Sequence, residues 1–308
     1  MRTGVPLGAV AGGVMPARSA GRDDEIPLPM VVKAWADRPV DNVVAHPRLM
    51  RELFDEALTV ITGRKTPAEA WHQLLGTDAR VAIKFNISGA YTLQTTPAVA
   101  RLLVGSLTDA GWSPEKIVLI EASSHLVDEL HTRPVPRGWS STVSDFGSGS
   151  DQLAAVLDEV DALVNVPFLK THNIAGMTGC LKNLSHGLVR HPARYHADGC
   201  LPYITDIVAL PAIRDKLKLN VMNAIRAVYD GGPDASAGAI FNARALLVST
   251  DPVATDYVGV EMLDQERASK KLLPVGGKER LMPLWRAAGA RGLGVASRDR
   301  IRRRQVKI

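Results

Sequence analysis

Three observations predict an α/β protein with a parallel-sheet core, crossover helices and a less regular α/β second half. Short apolar runs and amphipathic stretches alternate between residues 80 and 166 at the spacing of strand–helix–strand units. Hydrophobic residues make up 46% of 308, enough for a sizeable core and too many for a disordered chain. No run approaches the roughly 18 uncharged apolar residues that a membrane helix needs.

The N-terminus, residues 1–30, reads as a leader. Gly4 to Ala20 is small, apolar and free of acid, like the back half of an export signal, but Arg2 is its only early charge. The chain as written reads as cytoplasmic, and as exported if this stretch is a truncated signal. Residues 31–297 read as a single composite domain, with no linker long enough to divide it. Residues 298–308 read as a solvated basic tail. They hold six bases against one acid, and without them bases and acids number 31 each. A neutral body with 5% aromatic residues argues against a nucleic-acid partner.

Asp41 to Leu75 reads as helical, with Leu49, Leu53, Ala57 and Val60 at helical spacing and Thr66-Pro67 opening a second helix. Arg80 to Asn86 is a buried strand. Thr96 caps a helix that Gly111 closes, and Ile117 to Ile120 is the next strand. Asp151 to Val160 reads as an amphipathic helix and Ala162 to Val166 as a third strand. Strands at Leu217–Met222 and Ala245–Ser249 follow, then a helix over Pro252–Leu263. The charged segment Glu266–Lys271 separates it from a last helix at Glu279–Ala288.

In parallel sheets the ligand sits beyond the carboxyl ends of the strands. That rule points at Asn86, at Ser123-Ser124-His125 and at the block Asp161–Val189. In this block a strand ends in Asn165, and a loop supplies Lys170, Thr171 and His172. The glycine turn Ala175-Gly176-Met177-Thr178-Gly179 then leads into a helix carrying Lys182, Asn183 and His186. Cations, amides and backbone N–H groups at a helix start make a site for phosphate or carboxylate. Six of the eight histidines lie between His125 and His196, a clustering suited to metal binding or proton transfer. His191 and His196 are candidate ligands of a divalent metal, with Asp251 and Asp256 later in the chain. Asp251-Pro252 also reads as a plain helix N-cap. Two cysteines, Cys180 and Cys200, exclude an all-cysteine iron–sulfur cluster within one chain.

Three separated stretches, VAIKFN, NVPFLKTH with GCLKNL, and LLVSTDPVATDYVG, resemble in order the uncharacterised domain-of-unknown-function family 362, over roughly Ala79 to Leu263. A more distant likeness is to the nickel-pincer lactate racemases, whose H-x-x-A-G-x-S-G-G-x-K block is similar to His172 through Lys182. That likeness implies an acid/base role for His172 and a cofactor-bearing lysine at Lys182. It also sets His125 after a strand and His196 about where a later histidine ligates nickel. Cys180 replaces a glycine of that pattern, no Arg follows His125, and Asn86 stands where a D-x-T-R-P block is expected. A shared fold and site location follow better than a shared cofactor.

The expectation is an enzyme acting on a small anionic substrate. His172, Lys182 and His125 would be catalytic, with Asn86, Asn165, Lys170, Thr171, Gly176, Thr178, Gly179 and Asn183 binding the substrate. The alternative is a non-catalytic, exported metal or cofactor carrier.

Overall fold

The computed structural model describes residues 28–38, 46–234, 236–275 and 277–307. The expected leader therefore lies outside the described residues except for its last three. The expected fold class is present, with a largely parallel central sheet.

The described residues hold twelve strands: β1 (Met30–Trp35), β2 (Val81–Lys84), β3 (Ile117–Ile120), β4 (Trp139–Asp145), β5 (Ser150–Ala154), β6 (Ala162–Asn165), β7 (Phe168–His172), β8 (Gly176–Thr178), β9 (Leu217–Val228), β10 (Ile240–Phe241), β11 (Ala245–Ser249) and β12 (Arg302–Lys307). The main sheet runs β12-β1-β11-β9-β6-β2-β3, and β4 and β5 form a separate pair. β3, β2, β6 and β9 are parallel neighbours, whereas β11 is antiparallel to both β9 and β1. Alternate residues of each central strand enter two cores. Val81 and Ile83 pack with Phe54, Trp71 and Leu103, while Ala82 packs with Leu181, Leu184 and Leu263. Helix therefore covers both faces, as the unbroken apolar runs of a parallel sheet require.

Six expectations are corrected. Asp151–Val160 is not one helix: residues 150–154 form β5, and only Val156–Glu159 is helical. Pairing with β4 and the burial of the Asp151 carboxylate override an apolar spacing that suits a helix. The expected loop after Asn165 is strand β7, and the expected glycine turn is β8, hairpinned back onto it. β9 is twice its expected length because it takes two partners in succession, β6 along its first half and β7 along its second. The helix begun at Pro252 runs to Ser269, through much of the charged segment thought to end it. The N-cap of the Thr96–Asp109 helix is Thr95, one residue early.

The sixth correction is the tail. β12 pairs in parallel with the whole of β1, and Ile301 and Val306 are buried. The arginines point outward along an edge strand, where charge deters pairing with another chain.

Candidate functional site

The chain leaves β6 at Asn165, turns at Val166-Pro167 and continues as β7 beside the far half of β9. The β7–β8 hairpin and the Cys180–Ser185 helix therefore stand just past the carboxyl ends of β2 and β6. Four amides cross this region in a chain. Asn86 Nδ2 donates to Asn183 Oδ1 at 3.0 Å, Asn183 Nδ2 to Asn165 Oδ1 at 2.8 Å, and Asn165 Nδ2 to Asn220 Oδ1 at 2.9 Å. Asn165 and Asn183 thereby position strands against the helix, while the buried Asn86 Oδ1 has no partner.

Three lysines lie buried around these strand ends. Lys84 Nζ pairs with Glu121 Oε1 at 3.0 Å and donates to the Phe85 carbonyl at 2.7 Å. Lys170 Nζ donates to the carbonyls of Ser88 and Pro233 at 2.7 and 2.9 Å, which ties two loops to β7 and leaves it ill placed as an anion holder. Lys182 is different. No carboxylate pairs with it among the described residues, and its contact is His196 Nε2 at 3.2 Å. Burial pulls the Lys170 and Lys182 ammonium groups down to about 8.

His172 and Lys182, ten residues apart, meet at His196. The His172 and His196 rings stack with centroids 5.8 Å apart, and His186 meets His196 edge-on at 4.7 Å. Hydrogen bonds assign the ring protons. The amides of Ile174 and Ala175 both donate to His172 Nδ1, at 3.1 and 3.2 Å, so the proton sits on Nε2. His196 Nδ1 donates to the Pro192 carbonyl at 3.0 Å, so its Nε2 carries the lone pair that faces Lys182. Burial, then the charge of Lys182, brings His172 down to about 3. His186 is likewise brought to about 3, by burial first. Both rings are neutral at ordinary pH. Thr171 Oγ1 accepts the Gly232 amide at 3.1 Å, and beside it a cleft of about 300 Å³ opens along Thr171, His172, Asn173 and Gly232.

The helix-start anion site is already filled. Asp256 Oδ1 accepts the Cys180 amide at 2.5 Å and Oδ2 the Leu181 amide at 3.1 Å. Gly179 is glycine because a Cβ there would collide with that carboxylate. Gly176 has φ +81° and closes the β7–β8 turn, and Thr178 is buried opposite Lys170. The anion cradle expected at these positions is thus an internal contact between the Asp256 carboxyl group and two amides.

The expected metal quartet is not assembled. Asp251 is the helix N-cap, its two oxygens accepting the Ala254 and Val295 amides at 2.8 Å each. Asp256 is held as described, and His191 Nδ1 pairs with Asp151 at 2.9 Å. Nor does His125 join the cluster: it is exposed on the Ser124–Glu129 helix. Lys84, Glu121 and Cys200 were missed as candidate site residues, and His186, though placed on the helix of Lys182, was given no role of its own. A lysine inside an apolar strand was a usable signal, since lysine is almost never fully buried unpaired.

Residues 141–261 match the family model described as Domain of unknown function (DUF362). The DUF362 span includes His172, Lys182, His186, His196, Cys200 and Asp256, and leaves β2 with its Lys84 outside. No curated protein matches the chain.

Proposed function

We propose that the chain is an enzyme moving a proton on a small carboxylate- or phosphate-bearing molecule, with racemase- or isomerase-like chemistry. The observation that carries this reading is the convergence of His172 and Lys182 on one imidazole, with no carboxylate among the described residues neutralising Lys182. A buried ammonium without a counter-ion favours an incoming anion.

The proton assignments supply roles. Lys182 Nζ and the His196 Nε2 lone pair are the groups that give and take a proton. Lys182, brought close to neutral pH by burial, is suited to that exchange. His172 is too weak a base to take the proton, which revises the role expected of it. Its fixed Nε2–H instead serves as a neutral donor to an oxygen on which charge develops.

The test is hydrogen exchange. A panel of 2-hydroxy acids, 2-amino acids and phosphorylated small acids is incubated with the protein in D₂O, and loss of C–H signal is followed by NMR. One class should exchange with the native protein. Lys182→Met should abolish the exchange, and His172→Gln should slow it by about 10²–10³-fold, the cost of one lost oxyanion donor. No exchange in any acid, with no acid raising the melting temperature, would overturn the reading.

A further inference from the structure

We infer that His186, His196 and Cys200 form a binding site for a soft divalent cation such as Zn²⁺. One ligand atom from each of these residues lies within 4.8 Å of those of the other two. Two nitrogens and one sulfur are the donor types that zinc prefers among first-row cations without redox demand.

The hydrogen bonds around the three residues supply a second observation. Each imidazole offers one N–H to a backbone carbonyl of the same short turn. His186 Nε2 donates to Tyr195 O at 2.8 Å, and His196 Nδ1 donates to Pro192 O at 3.0 Å. Metal-bound histidines are oriented in this way, with the second nitrogen tied to an outer acceptor and the first left with its lone pair. The free lone pairs are then His186 Nδ1 and His196 Nε2. Among the described residues the hydrogen-bond partner of His186 Nδ1 is the Ser185 hydroxyl, at 3.0 Å, and this hydroxyl also lies 3.2 Å from the Lys182 carbonyl, which it can serve instead.

Cys200 completes the set from the far end of the turn. It is fully buried and is not in a disulfide. Its backbone takes φ +67°, a conformation costly for a side-chain-bearing residue and the one that holds Cys200 at this place. On binding, the S–H bond gives its proton to buffer as the sulfur–metal bond forms. Three protein ligands leave one coordination position open, as in catalytic rather than structural zinc sites. Lys182 Nζ is the neighbouring group, and the cation would replace it as the partner of His196 Nε2. A cation on His196 Nε2 would take the lone pair that the proton-transfer reading uses, so the metal-bound chain would not exchange a proton at His196. The proposal rests on ligand geometry alone, and its test reads metal and not turnover.

The purified full chain is stripped with chelator and titrated with Zn²⁺ alone by calorimetry, and with Co²⁺ alone by absorption. One Zn²⁺ per chain is expected, and Co²⁺ should give a thiolate-to-cobalt charge-transfer band. Cys200→Ser should remove the band. His196→Ala, which keeps both cysteines and alters a partly exposed ring, should weaken Zn²⁺ by at least about 100-fold, beyond what loss of an outer partner costs. No band in the native protein, or a band and affinity that survive His196→Ala, would overturn the proposal. Those two readings decide it even where Cys200→Ser does not fold.

Discussion

Asp256 occupies the space that a side chain at Gly179 would need, and its carboxylate caps the helix that begins at the next residue. The contact joins two parts of the chain 77 positions apart, and neither residue is explained without the other. It also separates anion from cation at the site: a carboxylate serves the helix start, and the buried lysines lie elsewhere.

Gly179→Ala should therefore destabilise the fold by forcing Asp256 off its amides. Asp256→Ala should also destabilise, because the Cys180 and Leu181 N–H groups become buried donors without partners, at about 1–3 kcal/mol each. Urea unfolding of the single and double variants checks this. Gly179→Ala should add less once Asp256 is alanine, since only the end of the flexible Met177 side chain then stands in the way. Full additivity would mean that the two residues act separately.

Removing residues 298–308 should lower the melting temperature by several degrees. The deletion takes away an edge strand hydrogen-bonded along all of β1 and the buried side chains of Ile301 and Val306. Val306→Asp, which keeps the strand but buries a charge, should reproduce most of the loss, because burying a valine is worth about 1.5–3 kcal/mol. Thermal unfolding of both variants decides between a docked strand and a solvated tail.

Lys84 is fully buried, with Glu121 as its carboxylate partner. Glu121→Ala should cost about 3–5 kcal/mol by leaving an uncompensated buried charge. Lys84→Met together with Glu121→Leu should recover much of that, since an apolar pair of similar volume needs no desolvation of ions. Equilibrium unfolding of the two variants makes the comparison.

Stability should fall as the pH drops from about 6.5 towards 3. His172 and His186 have folded values of about 3, below the ordinary 6.5, so in this window the unfolded chain binds the protons. Each ring contributes at most about 1.4 kcal/mol per pH unit. Asp256 opposes them, because burial raises it to about 7 and its folded form takes up a proton first as pH falls. The net slope from the three groups is on the order of one ring. Asp256→Ala should steepen it, and His186→Gln should flatten it, in unfolding curves at pH 4.5, 5.5 and 7.

Much of the fold was legible in the residues. The runs at 81–84, 117–120 and 162–165 are strands because their apolar residues are consecutive, with a polar residue only at the last position of two of them, Lys84 and Asn165. Position beyond the strand ends singled out Asn86, Asn165 and Asn183, which hydrogen bonds join, and His172 and Lys182, which meet at His196. Where periodicity failed, at 150–154 and in the hairpin of β7 and β8, a strand partner distant in sequence decided the outcome.

The sequence by itself determined the α/β class, the parallel central strands and the stretch of chain that builds the candidate site, because these depend on local apolar pattern and on the geometry of crossover connections. Only the tertiary structure decided which charged groups are free. Asp256 fills the helix start, Lys170 clamps two carbonyls, Asp251 caps a helix and His125 faces solvent, while Lys182 has no carboxylate partner among the described residues and shares His196 with His172. The reason is physical. A side chain's chemistry depends on its partners and its burial, and those come from elements far apart in sequence.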